Sequence, residues 1–199
     1  PQLVSLDRAT GKLNWSMTMQ KLRLPDDQAN LADAQLHGVP LLIDDTVYAL
    51  VRALRGGQFE ECHLIALRAS DGTYLWSSYV ASTAMGVQFD MDGDSVSASD
   101  ISAMLSYSDG RVYVLTNLGA LARLDAADGK TLWLNIYPRN PSSLGPGGRA
   151  NFGRPRQFIN QRPASKPFMQ NPPMVVDGRL FVAPVDSPNI LIYDAASGE

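Results

Sequence analysis

One short pattern returns four times along this chain of 199 residues, and few folds can accommodate it. In its first copy an apolar run ends at Asp7, Gly11 follows four residues later, and Trp15 four residues after that. The second copy keeps Gly72 and Trp76 but has Arg68 where the Asp stands elsewhere; the third has Asp125, Gly129 and Trp133. The fourth has Asp194 and Gly198 and reaches Glu199. The glycines lie 61, 57 and 69 residues apart, a spacing that marks a modular repeat. An Asp four residues ahead of a Gly predicts a tight turn: the carboxylate accepts from backbone N–H groups just beyond it, and Gly supplies the positive φ that closes the hairpin. A large flat indole recurring once per module predicts packing between adjacent sheets.

A second pattern precedes the first in three modules. Leu41–Leu50, Leu105–Leu115 and Met174–Ala183 each read as a β-rich run, an Asp-Asp or Asp-Gly turn, and another β-rich run with an aromatic at its middle. The two patterns together give four short antiparallel strands per module, the blade of a β-propeller. No module holds an apolar period of 3.6 residues long enough for a helical solenoid. The predicted fold is therefore all-β, an incomplete propeller arc of about three to four blades. Residues 1–20 form a half blade, 39–82 and 102–138 whole blades, and 172–199 an incomplete one, with inserts at 21–38, 83–101 and 139–171. An arc leaves the apolar faces of its end blades bare, so the remaining blades of a longer polypeptide are the expected neighbours, with two copies assembling into one ring as the rival reading.

From Leu6 to Trp15 the sequence reads Leu-Asp-x-x-Thr-Gly-Lys-x-x-Trp. This resembles the tryptophan-docking repeat of the pyrroloquinoline-quinone (PQQ) type of β-propeller, whose rings usually close with seven or eight blades. The repeat occurs in PQQ-dependent dehydrogenases and equally in non-enzymatic bacterial propellers such as the outer-membrane assembly lipoprotein. The resemblance implies export to the periplasm or cell surface. For the enzymes it also implies PQQ at the ring axis and calcium held by Glu, Asn and Asp, with an Asp base and often a disulfide between neighbouring cysteines. This chain has one cysteine, Cys62, and no Glu between Glu61 and Glu199.

Composition narrows the chemistry further. A net charge of −3 gives no overall attraction to nucleic acid, and no apolar run approaches the ~18–20 residues of a membrane-spanning helix. Residues Pro1 to Val4 carry none of the marks of a signal peptide, which says nothing about a longer parent chain. A single Cys excludes an internal disulfide and a Cys-rich zinc site. His37, beside Gly38 at the end of the first insert, and His63, ahead of a strand and next to Cys62, each stand without a second ligand type nearby, and read as loop residues rather than as a base or a metal ligand. The first insert reads as a partly helical polar excursion.

Asp90, Asp92 and Asp94 alternate in a manner suited to calcium. Gly93 and Ile101, however, stand fourth and twelfth in that stretch, where an EF-hand loop needs Gly sixth and Glu twelfth, so a solvated acidic turn is the competing reading. Residues 129–176 hold seven positive charges and no negative one, whereas residues 1–128 hold nine positive and sixteen negative. Arg149, Arg154, Arg156, Arg162 and Lys166 lie in this stretch, interleaved with Phe152, Phe158 and Phe168. They are candidates for contact with an acidic partner, a phosphate-rich polymer or an anionic lipid, or for folding back on the chain's own acidic surface.

Three functions fit these features. The first is a non-catalytic scaffold of an exported bacterial protein that binds other proteins through its loops, with no cofactor. The second is part of a PQQ-dependent alcohol or sugar dehydrogenase, which alone would call for PQQ and calcium. The third is a propeller that binds a small ligand or carbohydrate. The repeat residues themselves, Asp7, Gly11, Trp15, Gly72, Trp76, Asp125, Gly129, Trp133, Asp194 and Gly198, belong to turns and blade packing.

Overall fold

The computed structural model describes residues 1–84, 102–139 and 170–199. Within them the strands fall into four antiparallel sheets that follow one another along the chain. The first sheet pairs β1 (Leu3–Leu6) with β2 (Leu13–Met17). The second is the meander β3 (Gln35–Ile43), β4 (Thr46–Arg55), β5 (Phe59–Arg68) and β6 (Tyr74–Ala84). The third repeats that order as β7 (Met104–Ser108), β8 (Arg111–Leu115), β9 (Ala120–Asp125) and β10 (Thr131–Ile136). The fourth holds β11 (Met174–Val176), β12 (Arg179–Val182) and β13 (Leu191–Asp194). This is the predicted all-β arc: the outer half of one blade, two complete four-stranded blades, and three strands of a fourth.

The repeat residues build the hairpin turns as their chemistry requires. Each turn closes with a hydrogen bond from the glycine N–H to the carbonyl four residues back: Gly11 to Asp7, Gly72 to Arg68, Gly129 to Asp125, and Gly198 to Asp194, at 2.8–2.9 Å. The glycines hold φ between +69 and +80, where a side chain is strained. The Asp7 carboxylate accepts from the Thr10 N–H at 2.7 Å, and that of Asp194 from the Ala196 and Ser197 N–H groups at 2.9 and 2.8 Å. Asp125 receives the Ala127 N–H at 2.9 Å.

In the second blade, where Arg68 replaces the Asp, the cap comes from the neighbouring turn: Asp45 accepts from the Ser70 N–H at 3.0 Å. The two turns at this end of each blade are also latched through the backbone. Ala69, Ala126 and Ala195 donate to the carbonyls of Asp45, Gly110 and Gly178, at 2.8, 3.0 and 2.8 Å.

Successive sheets meet face to face, each pair around its own apolar core. Met17, Val47, Ala49, Ile65 and Leu67 join the first two sheets, with Trp15 against them. Leu50, Leu64, Ala66, Val112, Ala122 and Leu124 join the second and third, with Trp76 packed on. Leu115, Leu121, Leu180 and Val182 join the third and fourth, with Trp133.

Each indole lies on the turn glycine of the following blade. A Cβ at Gly72, Gly129 or Gly198 would come within 2.9, 2.5 and 2.8 Å of carbons of Trp15, Trp76 and Trp133 respectively. The turn carbonyls take polar caps from the same side: Trp15 Nε1 donates to Ala69 at 2.8 Å, Tyr48 Oη to Ala126 at 3.0 Å, and Trp133 Nε1 to Ala195 at 3.3 Å.

The second blade is longer than its neighbour. β4 and β5 have ten residues each, against five in β8 and six in β9. Their registers match at the Asp–Gly turns, with Thr46 opposite Arg68 and Arg111 opposite Asp125, so the excess stands entirely at the other end. Five residues at about 3.3 Å each make an overhang of roughly 15 Å.

β3 likewise starts at Gln35, four residues ahead of the boundary at 39 read from the sequence. A register shift between His37 and Leu41, spanning Gly38 and Pro40, breaks the alternation that would have disclosed it. His37, like His63 in β5, is thus a strand residue and not the loop residue expected from the sequence, and its Nε2 accepts from the Ala103 N–H at 3.1 Å. Gly38 has no room for a side chain, because its Cβ would strike the Ala103 carbonyl. The predicted helical character of the first insert is present as one 3-10 turn, Asp26–Leu31, and a second, Met19–Lys21, stands at its start. Among the described residues no helix is long and apolar enough to cross a membrane.

Candidate interaction surface

In a four-stranded meander the turn between the second and third strands lies at the opposite end from the other two turns. The connection from one blade's last strand to the next blade's first also runs at that opposite end. The overhang of the second blade and the ends flanking all three inserts are therefore gathered at one end of the arc. The Asp–Gly turns occupy the other.

The overhang is a hairpin closed at Gly56 and Gly57, both at positive φ. One face is covered by Met19 and by Leu31 and Ala34 of the first insert, which share a core with Val51 and Ala53. On the other face Glu60, buried, accepts from Nδ2 of Asn117 at 2.8 Å, tying the tip of one blade to the short turn of the next. Glu61 takes Arg55 Nε at 3.0 Å and contacts His63 Nε2 at 3.0 Å through the same carboxylate oxygen. Partial burial pushes the Glu61 carboxyl up, but the His63 and Arg55 contacts outweigh it and hold the group below its ordinary range. Leu54, Phe59 and Tyr79 remain exposed on this hairpin and the strand beside it.

A second polar cluster lies where the third and fourth blades meet. The Asp186 carboxylate, buried, is paired with the Arg139 guanidinium and accepts from the Tyr137 hydroxyl at 3.1 Å. Arg139 also reaches the Asn117 carbonyl at 3.3 Å. Gln170 Nε2 donates to the carbonyls of Leu115 and Thr116 at 3.3 and 3.4 Å. Burial, and then the Asp186 charge, push the Tyr137 hydroxyl far above its usual range, so it stays protonated and donating. Arg139 and Gln170, at the two ends of the third insert, converge on the strand end and turn from Leu115 to Gly119.

His63 is engaged with Glu61, and full burial, followed by the charge of Glu60, pushes the Cys62 thiol up to about 12, far from a thiolate nucleophile. Among the described residues no three His, Cys, Asp or Glu side chains gather as a metal site. Asp90, Asp92 and Asp94 lie outside the described residues, as do Arg149, Arg154, Arg156, Arg162 and Lys166. Sequence reasoning did not single out Glu60, Asn117, Tyr137, Gln170 or Asp186. The one available signal for the overhang was the Gly56-Gly57 pair between two β-rich runs.

Comparison with known proteins places this geometry in context. The model of the family described as outer membrane protein assembly factor BamB matches residues 1–199. The crystal structure of BamB from Moraxella catarrhalis is similar over 100% of this chain and 45% of its own, at 16% identity and a TM-score of 0.49. The quinohemoprotein alcohol dehydrogenase ADHIIG from Pseudomonas putida HK5 is similar over 100% of this chain and 31% of its own, at 14% identity and a TM-score of 0.51. The chain thus spans less than half the length of either solved structure. No curated protein sequence matches it.

Proposed function

The chain belongs to the family of the outer membrane protein assembly factor BamB, and from that premise we propose that it is a non-catalytic scaffold that binds other proteins. The observation that carries this reading is the overhang of the second blade. A rigid sheet raised about 15 Å above its neighbour, buttressed on both faces and carrying Leu54, Phe59 and Tyr79 outward, has the form of a docking element. Aromatic and aliphatic anchors on a preorganised element are what protein interfaces concentrate their energy on.

The basic residues Arg149, Arg154, Arg156, Arg162 and Lys166 belong to an insert whose flanks emerge at the same end, and we assign them to the acidic part of the partner. We also place the protein in the periplasm or another exported compartment, on the strength of the family. No nucleic acid is expected as a partner.

Site-specific photo-cross-linking from position 59 tests the reading. Capture of a protein partner at Phe59, abolished in a Leu54→Asp variant that keeps its circular dichroism, is the expected result. If PQQ and calcium instead generate near-ultraviolet absorbance and dye-linked alcohol oxidation, the dehydrogenase reading replaces it.

A further inference from the structure

Burying a polar side chain is costly, and among the described residues this chain does so almost entirely in one place. All the buried polar side chains but His63, namely Glu60, Thr116, Asn117, Gln170 and Asp186, are joined around the turn between β8 and β9. That turn is braced from within. The Thr116 hydroxyl donates to the Ala120 carbonyl at 2.8 Å and accepts from the Leu118 and Ala120 N–H groups at 3.2 and 3.0 Å. The Thr116 N–H donates to the same Ala120 carbonyl at 2.9 Å. A buried network satisfied in this way is rigid, so a displacement on one side of the turn is carried to the other.

Three separate parts of the arc are fastened to this turn from outside. Glu60, on the raised hairpin of the second blade, holds the Asn117 side chain. At the two ends of the third insert, Arg139 holds the Asn117 carbonyl and Gln170 those of Leu115 and Thr116. Tyr137 adds its hydroxyl on the Thr116 carbonyl at 3.3 Å and its N–H on that of Gly119 at 3.1 Å. The stem of Arg139 lies on Gly119, where a Cβ would come within 2.5 Å of its Cδ. The fourth blade joins through Asp186, the counter-ion of Arg139. The corresponding turn of the second blade is the contrast: a Cβ at Gly56 or Gly57 would meet nothing within 4 Å. We infer that the Thr116–Ala120 turn is a coupling element, through which the raised hairpin of the second blade and the two ends of the third insert respond as one unit. A partner seated on the hairpin then shifts the ends between which the basic insert is strung. That use of the coupling rests on the docking role proposed for the hairpin. The coupling itself is measured without a partner, so its failure leaves the docking role standing.

A double-mutant cycle in the complete polypeptide tests it. Glu60→Ala and Gln170→Ala remove anchors that reach the turn from different parts of the arc. Independent sites lose stability additively, whereas members of one network do not. The expected result is a double variant that loses less Tm than the two single losses together, because the first substitution has already loosened the turn. Additive losses overturn the inference. NMR of single variants is a second readout that does not require the double variant to fold. Glu60→Ala moves the side-chain amide signals of Gln170 and the Nε–H signal of Arg139. Gln58→Ala, at the exposed tip of the same hairpin, leaves both in place. Unmoved Gln170 and Arg139 signals in Glu60→Ala, or equal shifts in Gln58→Ala, overturn it as well.

Discussion

Asp7, Asp71 and Asp194 show how a surface carboxylate becomes part of a fold. Hydrogen bonds from the Thr10 side chain and N–H hold Asp7 below its ordinary value of 3.8; those from the Thr73 N–H and hydroxyl do so for Asp71, and those from the Ser197 and Ala196 N–H groups for Asp194. Each folded-state pKa lies below the unfolded one, so the contribution of these turns is fully present above about pH 4 and disappears as pH falls through the lowered values. The urea midpoint should accordingly hold steady toward neutrality and fall below pH 4, with a shallower fall in Asp194→Asn. Cys62 is a second residue-level probe. With its thiol raised to about 12 and fully buried, it should react with a disulfide reagent at pH 8 only after unfolding, and a fast phase in the native protein would contradict the burial. The Asp, Gly and Trp of the repeat were legible because their roles are local and recur; Cys62 and Glu60 were not, because their burial depends on how far neighbouring strands extend.

Among the elements, the turn of the second blade is the most instructive. Arg68 looks like a lost cap, but Asp45, on the adjacent hairpin turn, has its carboxylate on the Ser70 N–H. Asp45→Ala should destabilise the chain by about 0.5–1.5 kcal/mol, the usual net worth of such a bond, and adding Arg68→Asp should recover part of that loss; thermal unfolding of the single and double variants measures it. A failure of the second substitution to restore stability would mean that the two carboxylates are not equivalent. The strand count and order could be read from β-rich runs and Asp–Gly turns. Strand length could not, since the alternation of β3 is broken at Gly38 and Pro40 and β4 is buried on both faces over much of its length, which erases its period.

For the molecule as a whole, the seams between blades matter more than any blade alone. The third and fourth blades are joined by the ion pair of Arg139 with buried Asp186, and Tyr137 adds a hydrogen bond. Asp186→Ala leaves the guanidinium without its counter-ion, and should cost about 3 kcal/mol, read from denaturant unfolding; Asp186→Asn, which keeps the acceptor for Tyr137, should cost less. These partners are 47 residues apart in sequence, and nothing local marks either of them, which is why this cluster was invisible before the fold was known.

The seams also have a direction. In each of the three seams among the described residues the tryptophan precedes, in the sequence, the glycine it covers. A chain made from its N-terminal side therefore has each indole in place before the turn that receives it has been synthesised. Each of these blades meets a finished surface on which to fold, and this arc can assemble in the order in which it leaves the ribosome.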